Sequence, residues 1–146
     1  MKKYPENLKL ENQLCFPLYV ASKEIVRKYK PILDRYDITY TQYLVLMVLW
    51  EYGTQSVKEI GDRLYLDSGT LTPLIKKLEK KGLLTRKKNE EDERIVFVSL
   101  TKKGQAFRDE AEKIPIEISS CVKLNKNEAI TLYTLLYKAI GGLTNE

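Results

Sequence analysis

The chain has 146 residues, 43% of them hydrophobic and 31% charged, with a formal net charge of +5. That length fits one domain with a real core, and the balance is that of a soluble globular protein, neither disordered nor membrane-embedded. The absence of histidine removes Ser-His and Cys-His nucleophile pairs, and two cysteines supply too few donors for most zinc sites. No metal, cofactor or enzymatic centre is therefore expected.

The opening, MKKYPENLKLEN, has two lysines but no apolar run after them, so it does not read as a signal peptide. No stretch approaches the length of a membrane span, and the expectation is a cytoplasmic protein with no membrane partner. From Leu8 to about Tyr29 the positions Leu10, Leu14, Cys15, Leu18, Tyr19, Ile25, Val26 and Tyr29 recur at helical spacing. Pro17 falls inside this stripe and should kink the helix or start it locally. A short helix is expected from Pro31. Asp37 to Thr39 then caps the apolar helix TYTQYLVLMVLWEY, which Gly53 ends.

Ser56 and Glu59 stand at capping-box spacing and start SVKEIGDRLY. Asp67 or Ser68 opens DSGTLTPLIKKLEKKG, which stops at Gly82, and LLTRKKNEEDERIVFVSLT reads as a β-hairpin. Two helices close the chain, over about 101–114 and 127–140. The last is apolar round most of its circumference, and in a domain this small a partner chain is its natural cover. The order is that of a winged helix-turn-helix flanked by extra helices, a mainly α fold with a small β-hairpin wing.

The helix from Asp67 carries small hydroxyl side chains early, at Ser68, Thr70 and Thr72, and Lys76, Lys77, Lys80 and Lys81 late. Arg86, Lys87 and Lys88 follow on the first strand, and between Lys76 and Lys88 only Glu79 is acidic. A lysine run alone is usually a solvated helix face. Here it follows a short helix and precedes a hairpin, the arrangement that seats a recognition helix against double-stranded DNA. The turn NEEDER looks wrong for a phosphate surface. Either Asp92 pairs with Arg94 and aims the guanidinium into a minor groove, or the turn is a solvated loop. Cys15, in QLCFPLY, reads as a small apolar filler or as a reactive thiol, and the local sequence leaves both open.

Residues 65–104 resemble the MarR family of dimeric winged-helix regulators, with Asp92-x-Arg94 matching the wing motif. LENQLCFPLYVASKEI (10–25) and YKPILDRYDITYTQYLVLMVLWE (29–51) resemble more narrowly its organic-hydroperoxide-sensing OhrR branch. The resemblance implies one MarR-type domain over residues 1–146. Dimerisation helices would span about 8–36 and 102–143, and a DNA-binding lobe about 38–100. It also implies a homodimeric repressor that leaves a pseudo-palindromic operator when an organic hydroperoxide oxidises Cys15. In that branch, tyrosines matching Tyr29 and Tyr40 hydrogen-bond the sensor sulfur.

If the first helix is continuous, Tyr29 lies about 21 Å beyond Cys15, at 1.5 Å per residue. The tyrosines must then come from the other subunit. Cys121 stands about where some members carry a resolving cysteine; it is otherwise an idle thiol. Two rivals remain: a regulator of the same fold gated by a phenolic ligand or another thiol-reactive oxidant, and, more remotely, a thiol peroxidase.

Overall fold

In the computed structural model, which describes residues 1–144, the described residues form seven α-helices and three short strands. The chain divides into two compact units, Met1–Ile114 and the segment from Pro115 onward. Every buried residue of the hydrophobic core, from Leu33 to Ile114, belongs to the first.

Two 3-10 turns, Glu6–Leu8 and Leu10–Asn12, occupy the stretch where the periodicity suggested a helix had already begun. Helix α1 (Cys15–Asp34) begins at Cys15, so Pro17 sits in its first turn. The missing N–H has no intrahelical acceptor to lose there, and the helix runs on unbroken. Pro31 also lies inside α1 and does not open a second helix. It removes the bond to the carbonyl of Arg27, an exposed residue whose oxygen can turn to water.

Helix α2 (Tyr40–Tyr52) starts with a capping box: Thr39 Oγ1 accepts from the Gln42 N–H at 3.3 Å, and Gln42 Oε1 accepts from the Thr39 N–H at 3.0 Å. It ends at Gly53, whose φ of 73° suits glycine. Helix α3 (Val57–Leu64) repeats the device with Ser56 and Glu59, at 3.1 and 3.4 Å. Helix α4 (Ser68–Lys80) is capped by Asp67, whose Oδ1 accepts from the Thr70 N–H at 2.7 Å. Leu71, Ile75 and Leu78 turn its inner face into the core.

Strands β1 (Gln55–Ser56), β2 (Leu84–Lys88) and β3 (Val96–Leu100) make an antiparallel sheet of order β1-β3-β2. The hairpin is the expected wing. Strand β1 is an addition, since two residues are too short to display an alternation. Helix α5 (Lys102–Ala111) packs on the same core, where Trp50 Nε1 donates to the Gly104 carbonyl at 2.9 Å and Phe107 lies 5.7 Å from the Trp50 ring. Helix α6 (Lys113–Ser119) takes up residues where one helix to about Ile114 was expected.

In the second unit, α7 (Lys126–Thr144) begins with a reciprocal pair, Asn125 and Glu128, at 2.9 and 3.0 Å. None of its residues is buried. No helix among the described residues is long and apolar enough to cross a membrane.

Candidate functional site

The first candidate surface is built on α4 and the wing. Ser68, Thr70, Lys76 and Lys77 are exposed along α4, and Thr72 is half-buried. The Thr72 hydroxyl donates to the Ser68 carbonyl at 2.7 Å. A groove of about 510 Å³ brings Ser68 and Thr72 together with Arg94 of the wing and with Ser56, Lys58 and Phe97. Residues 26 apart in sequence thus face one concavity, because β2 and β3 fold the wing back beside the start of α4.

The wing turn is ordered by its own side chains. Asn89 Oδ1 accepts from the N–H groups of Glu91 and Asp92 at 2.8 and 3.2 Å. Asp92 then holds Arg94 as a fork, with Nε to Oδ1 at 3.0 Å and Nη2 to Oδ2 at 3.1 Å. The guanidinium keeps the Asp92 carboxyl below its usual range, and the carboxylate raises Arg94 in turn. The Arg94 side chain remains 91% exposed, a cation aimed outward by an acid at its base. Arg86 behaves differently. Its Nε and Nη2 bind Glu79 Oε1 at 3.2 and 3.0 Å, and its backbone N–H donates to Glu79 Oε2 at 3.1 Å. This residue ties β2 to α4, and the one acid of the basic run is its partner.

The second candidate surface is α1 with the start of α2. Cys15 is exposed at the first position of a 20-residue helix whose N-terminus has no side-chain cap. Tyr29 and Tyr40 meet with ring centroids 4.7 Å apart, and Tyr43 closes the cluster at 6.0 and 6.4 Å. Burial, aided by Tyr40 and Tyr43, pushes the Tyr29 hydroxyl up to about 12. Burial raises Tyr40 and Tyr43 as well. All three phenols keep their protons at neutral pH, which leaves each hydroxyl able to donate a hydrogen bond. A groove of about 390 Å³ runs beside Tyr40, lined by Val26, Leu33 and Ile38 and by Lys23, Arg27 and Lys30.

The structure therefore brings Tyr29 to Tyr40 but not to Cys15 of the same chain. Because α1 is one helix from Cys15 to Asp34, the intervening rise to Tyr29 is about 21 Å. Cys121 follows α6 in the second unit and is exposed; its N–H donates to the Ile118 carbonyl at 2.9 Å, and its Sγ lies 3.9 Å from the Glu117 carbonyl oxygen. The sequence reading missed Tyr43, although its three-residue spacing from Tyr40 places both on one helix face. It also missed Ser56 and Lys58, which join the α4–wing groove only through tertiary packing.

A family model described as transcriptional regulator SarA/Rot matches residues 27–111. The organic hydroperoxide resistance transcriptional regulator of Bacillus subtilis is 50% identical over 132 residues, 90% of this chain and 90% of its own. The HTH-type transcriptional regulator SarZ of Staphylococcus aureus is 45% identical over 126 residues, covering 86% of this chain and 85% of its own. Reduced AbfR bound to DNA superposes with a TM-score of 0.79 at 37% identity, over 94% of this chain and 96% of that one. Disulfide-formed AbfR does so at 0.69 and 36%, over 94% of each. AbfR has also been solved from Staphylococcus epidermidis.

Proposed function

The chain belongs to the MarR-type transcriptional regulators, in the branch of the organic-hydroperoxide repressors, and we propose that it is a homodimeric, cytoplasmic DNA-binding repressor that releases its operator when an organic hydroperoxide oxidises Cys15. One observation carries this reading. The exposed thiol at the first position of α1 and the tyrosine cluster, built by Tyr29 of α1 with Tyr40 and Tyr43 of α2, are held about 21 Å apart along one continuous helix, and we read each as half of a site that a second copy completes.

The surfaces such a dimer needs are bare in the single chain. Tyr19 is 63% exposed on α1, and Ile130 and Tyr133 are 54% and 64% exposed on α7. Exposed apolar side chains on each of these helices favour association. An antiparallel meeting of two α1 helices about a two-fold axis would bring Cys15 of one subunit to Tyr29 and Tyr40 of the other.

In that composite site the phenols donate to the sulfur. The free N–H groups of the first turn of α1 favour negative charge beside them. The thiolate attacks one peroxide oxygen, the O–O bond breaks, and the alkoxide takes up a proton and leaves as the alcohol. Cys15 becomes a sulfenic acid. Phe16, Leu18 and Val26 favour an alkyl peroxide over the strongly hydrated hydrogen peroxide. Cys121 of the other subunit then supplies a thiol that condenses with the sulfenic acid to a disulfide and water, as the disulfide-formed AbfR suggests by analogy.

The DNA face is the α4–wing groove. Two α4 helices about 34 Å apart enter successive major grooves of a pseudo-palindromic duplex. Ser68, Thr70 and Thr72 lie near base edges, Lys76 and Lys77 at phosphates, and the Asp92-held Arg94 in the minor groove. Arg86 contributes by holding β2 against α4. Residues of about 38–100 form the DNA-binding lobe, and the flanking segments, about 8–36 and 102–143, carry dimerisation.

The test is Cys15→Ser. Stoichiometric cumene hydroperoxide should lower the operator affinity of the unaltered protein at least tenfold, with sulfenic acid or disulfide at Cys15 by mass spectrometry. The serine variant should bind DNA as before and ignore the peroxide. A variant that still releases DNA on peroxide treatment removes Cys15 from the mechanism.

A further inference from the structure

Helix α4 presents an unusual crest. Its buried side is set by Leu71, Ile75 and Leu78. At 3.6 residues per turn, the opposite direction belongs to Gly69, Pro73, Lys76 and Lys80, all exposed. Through its first two turns the outermost strip therefore carries no side-chain hydrogen-bond donor or acceptor.

Two of the polar groups near it are engaged by the helix and its cap. The Thr72 hydroxyl donates its proton to the Ser68 carbonyl at 2.7 Å, and the Asp67 carboxylate receives the Thr70 N–H at 2.7 Å. Pro73 is a poor choice for a helix interior, since it forfeits the bond to the Gly69 carbonyl. No packing inside the protein calls for its ring, which faces outward. A glycine one turn earlier leaves the crest low: a Cβ there would meet only Asp67 Oδ1, at 3.3 Å, so the open room lies on the outer side.

We infer that Pro73 is a specificity-determining residue that reads thymine, its ring resting on a C5-methyl group while Gly69 lets α4 seat deeply in the major groove. The thymine methyl is the apolar group that base edges offer in that groove, and an apolar ring without donors or acceptors can select it by contact alone. This inference rests on the reading of the α4–wing groove as a DNA interface and adds to it the base that the crest selects.

The experiment starts from a duplex selected from a randomised pool by the full-length reduced protein. Each thymine of the selected sequence is then replaced singly by uracil, which removes only the methyl. One thymine in each half-site should prove sensitive, with affinity falling about fourfold, the factor expected from uncovering one methyl group. Pro73→Ala should bind the thymine duplex about fourfold more weakly and no longer distinguish thymine from uracil there. Pro73→Val, which keeps an apolar surface on the crest, should retain the distinction.

A scan of the unaltered protein with no sensitive thymine overturns the inference without any variant. So does a Pro73→Ala protein that still discriminates at that position. Failure to select any specific duplex would instead remove the DNA reading itself, an outcome distinct from both. Circular dichroism melting of each variant separates loss of contact from loss of fold.

Discussion

At its C-terminal end α1 sends Leu33 into the core and half-buries Tyr29, while from Cys15 to Val26 the same face carries Cys15, Leu18, Tyr19 and Val26 with none of them buried. All six residues fall within one stripe about 100° wide, the width of a face meant to be covered. One chain covers half of it. The covered end is where the phenols are fixed; the open end is where the thiol waits. On the proposed reading, a helix divided in this way couples reactivity to assembly, since neither end alone holds both the thiol and the phenols that would donate to it. Full burial of an apolar side chain contributes roughly 1.5–3 kcal/mol, and because these are already partly covered each would add about half of that, so several together favour association.

The sharpest test makes the same substitution at both ends. Leu33→Ala should cost about 2–5 kcal/mol of lobe stability in urea unfolding, because Leu33 is only 1% exposed and its removal leaves a cavity in the core. Leu18→Ala should leave the lobe transition nearly unchanged at low protein concentration, since Leu18 is 39% exposed there. Equal losses from the two would mean that the open end is already packed within its own chain.

The next effect is on assembly. Leu18→Glu places a charge where the second α1 would lie, and an unpaired carboxylate in an apolar interface is strongly unfavourable. Sedimentation equilibrium should show the dimer dissociation constant raised at least tenfold, with far-UV circular dichroism of the lobe retained. A dimer as tight as before would move the interface away from the first half of α1.

Much of this architecture is legible in the residues, for identifiable reasons. Capping boxes are local and stereochemical, so Ser56 with Glu59 announced α3, and Thr39, in the Asp37–Thr39 segment read as a cap, announced α2. The wing turn yielded its Asp92–Arg94 pair because two residues of separation leave the fork little freedom. Pro31 misled because proline's cost depends on whether the orphaned carbonyl reaches water, which the sequence does not state. The Tyr29–Tyr40–Tyr43 cluster was half visible, with Tyr43 lost among aliphatic neighbours that share its helix. Arg86 was the clearest case of tertiary override. Written in a basic run it reads as one more phosphate contact, yet the fold turns it onto Glu79, a residue on another element.

That pair gives the smallest of the effects, and it separates the lobe from the open half of α1 by pH. Hydrogen bonds from Arg86 hold the Glu79 carboxyl below its ordinary value of 4.5. A depressed carboxylate contributes stability that is fully present above the unfolded value and is lost as pH falls through the folded one. The lobe should therefore be insensitive to this pair between pH 6 and 8 and weaken below about pH 4.5, whereas Glu79→Gln, which does not titrate, should show a shallower decline over that acid range. Asp67 and Asp92 are lowered too, by their own hydrogen bonds, so both proteins lose stability in acid and the readout is the difference in slope. The open half of α1 carries one carboxylate between Cys15 and Lys30, Glu24, whose ion pairs with Lys23 and Arg27 are exposed. Mild acid should thus loosen the strut between β2 and α4 before it affects the assembly face, and DNA affinity should fall while the dimer persists. If dimer and lobe are lost together at the same pH in both proteins, the two regions are not separable in the way their burial implies.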